Sequence, residues 1–302
     1  MGCKFSILIT TFNRLEELKY TLKSLESFLK DGIKIIICDD ASTDGTSAFV
    51  QKKYPEIQLL VNSENHGLIY SRNLLMSQVQ TSYAISLDDD ANFLTSDPLE
   101  RIINYFEKKP KCGVTAFRIY WGKEKPLNVF NEANPEPVKC FVGCGHAWNM
   151  QAWNEVPNYP DWYRFYGEEN FAALQLFKKK WEVHYLPSVL VHHRVDNKAR
   201  KKDADYYLRA RRSLRADWYN YFIFYPQKKL VKLFLYSIKT QLLKAKKTRD
   251  MKVVKNLFLA MVDILGNSSR LKKNRNSLTS SKYNEWKQLP DAKIYWEPIQ
   301  IH

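Results

Sequence analysis

No stretch of the 302-residue chain approaches the roughly 20 consecutive apolar residues that span a bilayer, so no membrane-crossing helix is expected. The first apolar run, residues 5–10, is too short for the core of a signal peptide and has no small-residue cleavage site behind it. A cytoplasmic chain is the expectation. Two glycine-rich signatures are also missing. There is no GxGxxG after the first strand-like run and no GxxxxGK[ST] anywhere, which excludes the usual dehydrogenase loop and the P-loop. Cysteine is sparse and odd in number: Cys3, Cys38, Cys112, Cys140 and Cys144. With no leader, these read as reduced thiols. Cys140, Cys144 and His146 lie near one another in sequence. A structural zinc site needs a fourth ligand and normally a two-residue cysteine spacing, so the segment reads as small residues in a tight loop.

What is present is enough apolar and aromatic material, 45% and 14%, to bury a core and to exclude a disordered chain. The net charge of +15 is unevenly placed. Residues 195–302 carry 25 Lys and Arg against 9 Asp and Glu, a balance of +16; residues 1–194 carry 22 against 23, a balance of −1. This asymmetry predicts a near-neutral catalytic part over 1–200 and a helical, basic tail over 201–302 that seeks anionic surfaces.

The first half alternates between two periodicities. Short β-rich runs fall at 5–10, 33–38, 57–61 and 83–87, and helical spacing links Leu15, Leu18, Leu22 and Leu25 and again residues 67–79. This βαβαβ order predicts an α/β fold: a mainly parallel, Rossmann-like sheet flanked by helices. Ligands of such sheets bind at the carboxyl ends of the strands. The polar clusters sit there, at Thr10–Arg14, Asp39-Asp40 and Asp88-Asp89-Asp90. Further on, Gly143-Cys144-Gly145-His146 reads as a loop where backbone can approach a ligand. Residues 171–177 read as a helix opening after Gly167-Glu168-Glu169-Asn170, and residues 183–191 as a strand ending in His192-His193-Arg194. In the tail, Val231, Phe234, Leu235, Ile238 and Leu242 are expected to line one helix face, with Lys228, Lys232 and Lys239 outside it.

Three carboxylates in a row at the end of a buried strand repel one another unless something positive binds them. Hard oxygen ligands suit Mg²⁺ or Mn²⁺, which also coordinate phosphates; a solvated acidic turn is the other reading. Trp148, Trp153 and Trp162 offer faces on which a sugar can stack, although buried tryptophans are commonly core. Lysines interleaved with apolar residues suit an interfacial helix on anionic lipid; a solvated helix face is the alternative. No nucleic-acid-binding module is recognisable, so nucleic acid is not an expected partner.

The segments Ile7-Leu8-Ile9-Thr10-Thr11-Phe12-Asn13-Arg14, Asp39-Asp40-Ala41-Ser42-Thr43-Asp44-Gly45-Thr46, Asn65-His66-Gly67 through Ser71-Arg72-Asn73, and Leu87-Asp88-Asp89-Asp90 resemble, in order and spacing, the inverting family-two glycosyltransferases of GT-A fold. Gly167-Glu168-Glu169, Pro187 and His193 extend the likeness to about residue 194. More loosely, the tail resembles that of bacterial rhamnosyltransferase-like enzymes. The resemblance implies a GT-A domain with a helical basic extension. It also implies a metal-dependent hexosyltransferase that inverts configuration as it moves a sugar from a nucleoside diphosphate, a UDP-sugar, to a glycan or lipid-linked acceptor. The setting it implies is bacterial surface polysaccharide synthesis, peripheral on the cytoplasmic face of the inner membrane. Nucleotide contacts fall to Thr10, Thr11, Asn13, Arg14, Asp40, Asn65, Gly67, Arg72, Asp88 and Asp89. Asp90, Asp88 and His193 are implied to hold Mn²⁺ or Mg²⁺, with His192 as an alternative to His193. Glu169 is the implied base, with Glu168 the alternative. Gly145, His146 and Trp162 are placed on the acceptor side. Two other functions stay open: a sugar-phosphate nucleotidyltransferase, which would carry a Gly-rich, Arg-containing loop after the first strand, and a non-catalytic nucleotide-sugar-binding module.

Overall fold

The computed structural model describes residues 4–130, 132–196, 199–291 and 293–295. Its elements are β1 (Phe5–Thr11), α1 (Leu15–Ser24), α2 (Glu26–Lys30), β2 (Lys34–Asp39), α3 (Thr46–Lys53), β3 (Gln58–Val61), α4 (Leu68–Ser77), β4 (Tyr83–Asp88), β5 (Ala91–Phe93), α5 (Pro98–Lys108), β6 (Cys112–Trp121) and β7 (Glu136–Pro137). There follow β8 (Gly145–Asn149), α6 (Met150–Asn154), α7 (Glu168–Lys178), β9 (Glu182–His193), α8 (Tyr206–Phe224), α9 (Gln227–Thr248), α10 (Met251–Gly266), α11 (Ser268–Lys273), α12 (Ser280–Gln288) and β10 (Ile294–Tyr295). The helix read from Leu15 onward is interrupted at Leu25. The strand read as 183–191 runs two residues further and takes both histidines into the sheet.

The continuous apolar runs of β1 and β2 are buried on both faces, as strands under helices must be. Alternation sends Ile7 and Ile9 to one core with Leu18, Leu22, Val50 and Phe106, and Leu8 to another with Ile69, Leu75 and Trp148. The sheet order is β3-β2-β1-β4-β8-β6-β9-β5. β1, β2, β3 and β4 run parallel, as do β6 and β9, while β8 and β5 are antiparallel to their neighbours.

Register places the chemistry. Thr11 lies opposite Asp39 and Thr10 opposite Asp88, so the polar ends of β1, β2 and β4 finish level. His193 pairs with Ala91, which follows Asp90 directly. A histidine far along the chain is thereby set beside the triple aspartate.

The tail packs on the sheet side through α8. Ala216, Tyr219, Ile223 and Phe224 enter the core that holds Leu8 and Trp148, and Tyr283 and Trp286 of α12 join them. α8 also fixes the loop ahead of α7. The Asn220 amide donates to the Gly167 carbonyl at 2.9 Å, and Arg215 donates to the Tyr163 carbonyl at 2.6 Å. Gly167 has φ +86°, and a Cβ there would stand 2.8 Å from that of Ala216, so the residue before Glu168 has to be glycine. The apolar face expected of α9 divides. Phe234 and Ile238 pack against Trp218, Leu257 and Ala260, whereas Val231, Leu235 and Leu242 are exposed. The face of α9 that meets its neighbours is centred on Leu230, Phe234, Ile238 and Ala245, and the sequence carries apolar residues beyond its edge. Among the described residues no helix is long and apolar enough to cross a membrane.

Candidate active site

A cavity of about 370 Å³ opens at the carboxyl ends of β1, β2 and β4. Of the residues singled out in the sequence, Thr10, Thr11, Arg14, Asp40, Asn65, Gly67, Arg72, Asp88, Asp89, Glu168, Glu169 and His193 line it. Its organising group is Arg72, which α4 projects across the sheet edge with only 5% of its side chain exposed. One of its terminal nitrogens lies 2.6 Å from Glu168 Oε1 and 3.7 Å from Glu169 Oε1, and the other 3.0 Å from Asp88 Oδ1. The end of β4 and the start of α7, 80 residues apart in sequence, thus face each other over one guanidinium.

Gly143 makes this approach possible. A Cβ there would meet both terminal nitrogens of Arg72 at 2.8 Å and collide with Glu169 Oε1, and its carbonyl accepts from Arg72 at 3.1 Å. Burial and then the charge of Glu169 push Glu168 up to about 8, against the pull of Arg72. Burial also raises Glu169, and the charge of Arg72 offsets only part of that rise. The Glu169 side chain is 22% exposed and that of Glu168 1%, so Glu169 is the member open to the cavity.

The three aspartates do different work. Asp88 faces the cavity. Asp89 accepts from Thr11 Oγ1 at 2.9 Å and lies 3.4 Å from Arg14 Nε; burial pushes it up to about 7. Asp90 is fully buried and stands behind the wall rather than in it. Arg14 Nη2 lies 2.6 Å from its Oδ2 and His193 Nε2 3.0 Å from its Oδ1. Burial alone would raise Asp90, but His193 and Arg14 outweigh it and keep the carboxyl below the ordinary range.

Among the described residues, the group able to hold a cation is Asp88, Cys144 and His193, whose ligand atoms all lie within 4.8 Å of one another. The buried His193 spends its Nε2 on Asp90 Oδ1 at 3.0 Å, and its Nδ1 has no hydrogen-bond partner among the described residues. A carboxylate, an imidazole and a thiol gathered this closely suit a divalent ion. Cys144 was read from the sequence as loop packing, and only the Gly143–His146 close-approach segment marked its place. His192 points to the other side of the sheet and hydrogen-bonds the Gly122 carbonyl at 2.7 Å.

Asp40 is heavily committed. Its Oδ1 accepts from the Asn62 amide at 2.7 Å and from the His66 N–H at 3.0 Å, and its Oδ2 from the Gly67 N–H at 2.8 Å. A carboxylate offers about four acceptor positions, so one is left for a ligand. Asn13, at φ 52°, lies off the cavity wall, where its side chain accepts from the Thr43 N–H at 2.7 Å and ties two loops together.

The acceptor-side residues do not converge on the cavity. Gly145 is packed against Ile119 and Val191 within the sheet. His146, also in β8, is buried against Phe141, with burial lowering it to about 3, so it is a neutral core histidine. Trp162 stacks on Tyr163 and Tyr219, and Trp148 packs against Trp153 and Tyr159 in the core. The tryptophan on the cavity wall is Trp121, edge-on to His193 at 5.4 Å. Four arginines not singled out in the sequence, Arg164, Arg200, Arg209 and Arg212, complete the wall. Burial and the charges of Arg215 and Arg164 lower Arg212, which marks a gathering of like charge at the mouth.

Comparison with known proteins agrees with this architecture. The chain is 24% identical over 139 residues to the poly(ribitol-phosphate) β-N-acetylglucosaminyltransferase TarS of Staphylococcus aureus, covering 44% of this chain and 24% of that protein. It is 27% identical over 150 residues to the putative teichuronic acid biosynthesis glycosyltransferase TuaG of Bacillus subtilis, covering 46% of this chain and 59% of the relative. The chain therefore spans only a quarter to three fifths of the length of these two relatives. The structure of mannosyltransferase PcManGT from Pyrobaculum calidifontis, in complex with GDP-Man and Mn²⁺, superposes with a TM-score of 0.55 at 14% identity, covering 95% of this chain and 84% of that one. At that identity the likeness concerns fold, and the fold is the GT-A architecture expected from the strand-end motifs. Residues 6–172, more than half of the chain, match the family described as Glycosyl transferase family 2, and the chain is accordingly a member of that family.

Proposed function

We propose that this cavity transfers a sugar from a nucleoside-diphosphate donor, a UDP-sugar, to a hydroxyl of a glycan or lipid-linked acceptor in bacterial surface polysaccharide synthesis, with inversion at the anomeric carbon. One observation carries the reading: Arg72 holds Asp88 at the end of β4 and Glu168 and Glu169 at the start of α7 on opposite sides of one cavity. A donor group at the strand ends and a proton acceptor a few ångströms away are what an in-line displacement needs.

Glu169 takes the proton of the attacking hydroxyl. Burial beside Glu169 favours the neutral form of Glu168, which keeps a second negative charge from building there. Arg72, paired with Asp88 and Glu168 and 3.7 Å from Glu169, keeps these carboxylates aimed into the cavity. Asp40, through its one remaining acceptor position, and Thr10 take the nucleotide end of the donor. Arg164 and Arg212 meet negative charge on donor or acceptor at the mouth.

Asp88, Cys144 and His193 would hold a divalent ion, Mn²⁺ or Mg²⁺, with Asp90 supporting His193 from behind. Such an ion neutralises the charge that grows on a departing diphosphate. A thiol and an imidazole in the set favour Mn²⁺ over the harder Mg²⁺.

The test is release of nucleoside diphosphate from a panel of nucleotide sugars in the presence of Mn²⁺, by the wild type and by Glu169→Gln. Turnover of at least one donor that collapses in the variant is expected. A nucleoside triphosphate that stabilises the protein against heat while no nucleotide sugar does would instead point to a nucleotidyltransferase. A nucleotide sugar that stabilises the protein without release of nucleoside diphosphate would point to a binding module, and turnover unaffected by Glu169→Gln would remove Glu169 as the base.

A further inference from the structure

We propose that the outer face of α9 and α10 docks on the anionic surface of a lipid bilayer. Nine of the seventeen large apolar side chains that are exposed among the described residues lie on these two helices. On α10, Met251, Phe258, Val262 and Leu265 are spaced by seven, four and three residues, which puts them on one side of the helix. They are 74%, 64%, 45% and 73% exposed. The opposite side of α10 is apolar as well, with Val253, Leu257 and Ala260 buried. A helix apolar on both sides belongs in a core or against lipid, and here only one side has found a protein core. On α9, Val231, Leu235 and Leu242 form a second exposed stripe at spacings of four and seven, and Tyr236 and Leu243 lie beside it.

The charge around these stripes identifies what covers them. Residues 227–266 carry ten Lys and Arg, all exposed, against two acidic residues. Both acids are turned to internal work. Asp250 accepts from the Lys252 N–H and from the Tyr207 hydroxyl, and Asp263 is paired with Arg211 and Arg215. A second copy of this chain would bring cations against cations across a shared apolar face, which opposes association. Anionic lipid answers both features: the acyl boundary accepts the apolar side chains, and the headgroups attract the lysines. α8 packs against α10 and also fixes the loop before Glu168, so a bilayer under these helices would lie alongside the element that positions the cavity.

The inference does not rest on the reaction in the cavity, and its test does not read it. The full chain is sedimented with vesicles of phosphatidylcholine alone, or of phosphatidylcholine with phosphatidylglycerol, at low and high salt. Binding at least about tenfold stronger to the anionic vesicles, falling as salt rises, is expected. A Phe258→Glu/Leu265→Glu variant should lose that binding while keeping the wild-type melting temperature, because both side chains already stand in water. A Lys232→Glu/Lys239→Glu variant, which leaves the apolar stripes intact, should weaken binding to anionic vesicles by about tenfold or more. Absence of sedimentation, equal binding to both vesicle types, or a concentration-dependent dimer broken by Phe258→Glu/Leu265→Glu would each overturn the proposal.

Discussion

The strand-end cavity and the C-terminal helices treat charge in opposite ways. Around the cavity, Arg72, Asp89, Asp90 and Glu168 are all at least nine-tenths buried and cross-paired. On α9 and α10 the lysines are in solvent and large apolar side chains share that exposure. Each arrangement is costly by itself. Burying ions loses hydration that pairing seldom restores in full, and exposing a broad apolar face forfeits the gain of burial. Two kinds of unspent interaction in one chain fit the two partners proposed for it: a small, charged ligand at the strand ends and an extended, apolar and anionic surface at the tail.

The contrast can be broken most sharply at its buried end. Glu169→Gln keeps the shape of the side chain and removes its basicity, so sugar transfer should fall by about 10²–10⁴-fold. Nucleotide binding, followed by thermal shift, should persist. Arg72→Ala leaves Asp88, Glu168 and Glu169 facing one another without a cation; denaturant unfolding should show a loss of about 3–5 kcal/mol. A smaller effect concerns pH. The raised carboxyl of Glu169 must be ionised to act, so kcat/KM should fall on acidification with a midpoint above the roughly 4.3 of an ordinary glutamate. Glu168 works in the other sense. Its folded-state affinity for a proton exceeds that of the unfolded chain, so its contribution to stability is complete at low pH and lost as pH rises toward about 8. Glu168→Gln should therefore flatten that part of the stability profile. At the exposed end, Leu265→Ser should change stability by no more than about 0.5 kcal/mol, measured by urea unfolding.

The scaffold of the cavity was legible because parallel strands covered on both sides leave unbroken apolar runs. Ile35, Ile36 and Ile37 announce β2, and the acidic residues that end such runs fall where ligands bind. Asp88, Glu169 and His193 could be placed by motif. Cys144 and Trp121 could not, since neither sits in a charged or periodic pattern: Trp121 reaches the wall through the pairing of β6 with β9, and Cys144 from the turn just ahead of β8. The arginines at the mouth were hidden for another reason. Arg209 and Arg212 belong to α8, whose packing against the loop before α7 depends on contacts such as Asn220 with Gly167. His146 and Trp162 show the reverse: residues with suggestive chemistry that pack on neighbours off the cavity wall, His146 buried against Phe141 and Trp162 half-buried against Tyr219. The exposed stripe of α10 was masked because apolar periodicity reports which residues avoid water and is silent on what they meet instead.

The central claim, that the strand-end carboxylates handle a nucleotide sugar through a cation, is tested most directly by following nucleoside diphosphate release from a donor panel with and without Mn²⁺, in the wild type and in Asp88→Asn. Release that requires Mn²⁺ and vanishes in Asp88→Asn is the predicted result. Release that is indifferent to both the metal and the substitution would contradict it.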